Sequence, residues 1–135
     1  WVREDKRCEV IITEGGKPHP FINPKKIDYI VEEVGYWRKA NQIHNWFVEN
    51  VQDGKDECQE SYVSREQLQE LLNICKIVNI DNTKAEQLLS TQSGFFFGGT
   101  EYDEWYFNDI DNTIKILEDA LSDENADDFT YRASW

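Results

Sequence analysis

The sequence predicts an α+β fold, with a small antiparallel sheet packed against about three helices at roughly 38–52, 65–78 and 101–122. Three observations carry this expectation. Residues 8–13 (CEVIIT) and 27–37 (IDYIVEEVGYW) are rich in β-branched and aromatic side chains, the composition of strands. Three later stretches space their apolar residues by three and four, the helical period. Two of those stretches open on a hydroxyl residue followed three positions later by a capping partner.

In chain order, Gly15, Gly16, Pro18 and Pro20 are expected to end the first strand, and Gly35 to form a bulge in the second. From Arg38 the period changes. Ala40, Ile43, Phe47 and Val51 form a helical stripe that Asp53 and Gly54 terminate. Ser64 and Gln67 form a capping box ahead of the stripe Leu68, Leu71, Leu72 and Cys75. A weaker helical turn covers 84–89. Thr100 is expected to cap the last long helix, with Glu101, Asp103 and Glu104 in its first turn and Tyr106, Ile110, Ile114, Leu117 and Leu121 on its buried face. The tail DFTYRASW returns as a strand.

The 135 residues are expected to form one domain, 1–135. Charge is the strongest whole-chain fact. The net charge is −13, yet residues 1–39 hold eight bases against seven acids, which leaves 40–135 with six bases against twenty acids. Such a field repels nucleic acids and anionic membranes and favours a basic partner, although the same acidity also serves plain solubility. No apolar run approaches the roughly 20 residues of a membrane span. The opening WVREDKRCEV is charged where a signal peptide would be apolar, and the absence of Met suggests that the sequence lacks its natural start. Cys8, Cys58 and Cys75 are odd in number and widely spaced, so a cytoplasmic, reducing location fits.

Several blocks resemble a family of small proteins encoded by bacteriophages and prophage-bearing bacteria: YIVEEVGYWRKANQIHNWF (29–47), YVSREQLQELL (62–72), LLSTQSGFFFGGTEYDEWYF (88–107) and the terminal YRASW. They cover about half of the chain. Members tend to have Pro at the place of Ser90 and Ser at that of Gly99, and usually begin with a Met-containing segment that is lacking here. The resemblance implies a phage or mobile-element setting, hence the cytoplasm of a host cell, and transfers no catalytic residue.

Two candidate sites emerge from the residues. Arg38 and Lys39 are expected in a helical first turn, where each cation costs about 0.3–1 kcal/mol against the helix dipole. An anionic ligand would offset that cost, as would Glu32 and Glu33. Trp37, Asn41 and His44 share the helical stripe beside them, and Thr91, Gln92 and Ser93 offer a polar rim. The competing reading puts Trp37 in the core and gives His44 an ordinary hydrogen bond. The second candidate is the acid–aromatic tract holding Glu101, Tyr102, Asp103, Glu104, Trp105 and Asp109, whose composition is that of a protein interface. Residues 101–128 contain eleven acids and a single base, Lys115. Phe95, Phe96 and Phe97 cannot all face one way if extended, so at least one should meet a second apolar surface or stand exposed.

Enzyme signals are weak. GGT lacks the P-loop lysine, QSG is no nucleophile elbow, and two histidines do not make a His-based metal site. No cofactor, metal or catalytic residue is expected. The leading expectation is an accessory protein that binds and inhibits a basic host protein, a defence or nucleic-acid-handling enzyme, through its acidic aromatic face. The alternative is a module that sequesters or processes an anionic metabolite such as a nucleotide.

Overall fold

A computed structural model describes residues 11–92, 99–124, 126 and 128–133. The fold is α+β. Its contacts group into two units, residues 1–33 and 34–135.

In the first unit, β1 (Thr13–Glu14) pairs with β2 (Lys17–Pro18) in antiparallel register, Thr13 opposite Pro18 and Glu14 opposite Lys17. Gly15 and Gly16 take φ of 59° and 79°. Two successive left-handed residues are what a two-residue hairpin turn requires. The glycines therefore do more than end a strand: they fold it back. Residues 8–10 of the expected strand lie outside the described residues. A short 3-10 turn, Pro24–Lys26, follows, with Asn23 accepting a hydrogen bond from the Lys25 amide at 3.0 Å.

The strand expected over 27–37 is not formed. No strand pairs with it among the described residues, and Tyr29 and Val31 are 76% and 78% exposed. β-propensity measures fit to a pleated, half-buried surface, and without a partner that surface does not exist. Gly35 is no bulge either. A Cβ built there would overlap Cγ2 of Ile116, so Gly35 serves close packing.

The second unit contains α1 (Asn41–Asn50), β3 (Ser61–Val63), α2 (Arg65–Ile80), the short helix α3 (Ala85–Leu88), α4 (Glu104–Ser122) and β4 (Phe129–Tyr131). α1 starts later than expected because Lys39 adopts a left-handed φ of 58°, which breaks the helical path before Ala40. Its end agrees with expectation: Asp53 and Gly54 have positive φ, and the Gly54 amide donates to the Val48 carbonyl at 2.7 Å. The capping box of α2 forms as read. The Gln67 amide donates to Ser64 Oγ, and the Ser64 amide donates to the Gln67 side chain.

α4 begins at Glu104, and its cap is Asp103, which accepts from the Tyr106 amide at 3.1 Å. Thr100, the expected cap, is held elsewhere: its carbonyl accepts from Thr91 Oγ at 2.9 Å. Both residues suit a cap, and a tertiary bond chose between them. β4 forms as expected and pairs antiparallel with β3, a strand not expected from the sequence.

The core lies where α2 packs against α4, beside α1. Leu71, Cys75 and Val78 of α2, Ile110 and Leu117 of α4, and Ile43 and Phe47 of α1 are buried almost completely. Burial pushes the Cys75 thiol up to about 12, so it behaves as a small apolar side chain. The C-terminal end of α4 is tied down by Arg65. Its guanidinium donates to the carbonyls of Leu121, Asp123 and Ala126 at 2.6, 3.0 and 2.9 Å and lies over the Phe129 ring. A cation suits a helix end whose carbonyls lack intrahelical donors. Arg65→Ala should therefore lower the unfolding free energy by about 2 kcal/mol, since bonds from a charged donor are worth roughly 1.5–3 kcal/mol. Urea denaturation checks this, and Arg65→Lys should recover only part of the loss.

Candidate functional site

The site is assembled around the N-terminal end of α4. Four hydrogen bonds knit that end to residues 89–92. Tyr106 Oη donates to the Leu89 carbonyl at 2.6 Å, the Thr91 amide donates to Tyr102 Oη at 3.2 Å, and Thr91 Oγ donates to the Thr100 carbonyl. The fourth passes through Asn41, which is only 1% exposed: its Oδ1 accepts from the Gln92 amide at 3.2 Å. The same side chain donates through Nδ2 to the Gly99 carbonyl at 2.7 Å, so the two backbone ends that flank 93–98 meet at one amide. Burial, followed by the nearby Tyr102, raises the Tyr106 phenol pKa and keeps its hydroxyl a donor.

Beside this joint lies a cleft of about 630 Å³. Arg38 and Lys39 line it from the segment before α1. Glu101, Asp103, Trp105, Asn108, Asp109 and Asn112 line it from α4 and its approach. No ion pair within 4.0 Å joins these cations to these acids among the described residues. Trp105 is 77% exposed. Asp109 is half-buried, and its carboxyl is raised above the usual carboxylate range, first by burial and then by the charge of Asp103; the Gln42 amide partly opposes the shift. On α4, positions 105, 108, 109 and 112 follow the helical three- and four-residue steps, so they share one face.

The residues expected to form an anion pocket separate. Arg38 and Lys39 stand at the cleft, ahead of α1 rather than in its first turn. Asn41 and His44 point inward, and neither lines the cleft. Trp37 is half-buried, donates through Nε1 to Thr113 Oγ at 2.7 Å, and packs against Phe47 and Tyr131. Thr91 and Gln92 serve the joint described above, while Ser93 and Phe95, Phe96 and Phe97 lie outside the described residues. The tract from Glu101 to Asp109 stays together: Glu101, Asp103, Glu104 and Trp105 are exposed, and Tyr102 is turned partly inward.

Sequence reasoning missed the partners of His44. Its Nδ1 lies 2.6 Å from Tyr131 Oη, and its Nε2 lies 2.9 Å from Asp56 Oδ1. Burial, followed by the Asp56 charge, raises the Tyr131 phenol pKa, so the hydroxyl stays protonated. The roles follow the tautomer: with Nε2–H donating to the Asp56 carboxylate, a bare Nδ1 accepts from the Tyr131 hydroxyl. The Tyr131 ring stacks on Phe47, with centroids 3.9 Å apart. This chain ties α1, β4 and the segment after α1 together, a structural role at the core's edge. Only the tail motif YRASW hinted at Tyr131, and Asp56 left no signal.

Among the described residues, no three His, Cys, Asp or Glu side chains gather as a metal site, and no helix is long and apolar enough to cross a membrane. Comparison of the chain with known protein families, with curated proteins and with solved structures finds no match.

Two expectations test this geometry. Asn41→Asp keeps the shape but replaces the donor to the Gly99 carbonyl with an acceptor, so stability should fall by about 1–3 kcal/mol. Hydrogen exchange should quicken at Thr91, Gln92 and Tyr106, with the Leu117 region less affected. Asp109→Asn should stabilise the protein near pH 7. A carboxyl whose folded pKa is raised carries its full penalty above that pKa, and the penalty vanishes as pH falls below the unfolded value. The gain should shrink with acidification, as followed by denaturation at several pH values.

Proposed function

We propose that this chain is a protein-binding accessory factor that docks a basic partner on the start of α4. The observation that supports it most directly is Trp105, an exposed ring set among the carboxylates of Glu101, Asp103, Glu104 and Asp109. Interfaces concentrate their energy in aromatic anchors of this kind, while surrounding charges select the partner and speed the encounter. Further along the same helix, Asp111, Glu118 and Asp119 are exposed, and the cation Lys115 pairs with Asp111 at 3.3 Å. The face is therefore acidic along its length, a poor match for nucleic acid or an anionic membrane.

The phage-like sequence blocks suggest the setting: a mobile-element protein working in the host cytoplasm, inhibiting a host defence or nucleic-acid-handling enzyme whose own substrate groove is basic. An acidic helix that occupies such a groove competes with the polyanion for the same cations. The reading as an anionic-metabolite module has less support, because Asn41 and His44 have structural partners and only Arg38 and Lys39 remain at the cleft.

The test is a pull-down from bacterial lysate at about 50 mM and about 300 mM salt, across which surface electrostatics are progressively screened. Wild type should retain a partner at low salt only, and Glu101→Lys/Glu104→Lys/Trp105→Ala should lose it. A partner that ignores both the salt and the variant, or no partner at all, would reject the proposal. Asp103 is left intact in this variant because it caps α4.

A further inference from the structure

Resting on that reading of α4, we infer that the cleft beside Trp105 takes an arginine side chain of the partner, in preference to lysine. Three features of the cleft point to a guanidinium. Trp105 offers an exposed aromatic face, and indole is the best partner for a cation stacked on a ring. The carboxylates of Asp103 and Asp109 line the same cleft with their bonding capacity only partly used. Asp103 Oδ1 accepts from the Tyr106 amide and Oδ2 has no bond to a described residue, while the Gln42 amide near Asp109 donates to the Tyr106 carbonyl at 3.4 Å. Asn108 and Asn112 add amide oxygens on the same helical face. A planar group with five donors in a fixed fork can serve several such acceptors while lying flat on the indole, and an ammonium cannot.

The cations opposite sharpen the choice. Arg38 and Lys39 line the same cleft and form no ion pair with a described residue, so they offset part of the negative field. A compact ammonium depends on that net field and gains little. A guanidinium keeps the directional share, stacking and forked hydrogen bonds, which the opposing charges do not cancel. With a volume of about 630 Å³, the cleft also has room for backbone on either side of the inserted side chain.

The experiment uses two fluorescently tagged, end-blocked peptides of glycine and serine, one carrying three arginines and the other three lysines at the same positions. Anisotropy titrations at low salt are run on the full chain. Wild type should bind the arginine peptide about five-fold more tightly, the scale expected from stacking on an exposed indole. Trp105→Ala removes an exposed ring and should bring the arginine peptide to the lysine level. Arg38→Ala should narrow the preference by strengthening lysine binding. Equal affinities on wild type, or a preference that survives Trp105→Ala, would overturn the arginine assignment and leave the docking face standing. Failure of both peptides to bind would remove the docking face, and the arginine site with it.

Discussion

The buried amide of Asn41 is the constraint on which the N-terminal end of α4 depends. One side chain at the start of α1 reaches Gln92 with its oxygen and Gly99 with its nitrogen. A buried amide left without partners costs more than its bonds contribute when made, so the joint is strongly specified. Once it closes, Thr91 meets Thr100, Tyr102 meets Thr91, and Tyr106 meets Leu89. The start of α4 then has little freedom. Its Trp105 and carboxylates are presented from a helix start held by these bonds.

α4 has two unlike faces. One stripe, Tyr106, Ile110, Thr113, Ile114 and Leu117, closes the core against α2. The other displays Trp105 and acids along most of the helix. The two ends are secured by different chemistry: Asp103 Oδ1 accepts from the Tyr106 amide, and Arg65 donates to the Leu121 carbonyl and to those of Asp123 and Ala126 just beyond the helix. Each charge matches the helix dipole at its end. The acidic face therefore projects from a helix stabilised independently of any partner.

Legibility varied by kind of signal. The capping box at Ser64 and the stripe Leu68, Leu71, Leu72, Cys75 were readable because both ends of each interaction lie within one helical turn or two. The choice between Thr100 and Asp103 as cap was not, since both are good caps and Thr91 decided the matter from nine residues away. Residues 27–37 failed for a related reason: strand composition without a partner strand yields no strand. His44 and Asn41 were singled out from a helical stripe, yet which way that stripe faces is a property of the packed unit.

The sequence by itself determined the helical framework, the acidity of the C-terminal half and the gathering of Trp105 with its carboxylates, because periodicity, caps and local composition are short-range properties. Only the tertiary structure decided that Asn41 is a clamp, that His44 is held between Tyr131 and Asp56, and that Arg38 and Lys39 share a cleft with Asp103 and Asp109. Those contacts join residues from 12 to nearly 90 positions apart, and their energies arise from burial, which no local pattern encodes.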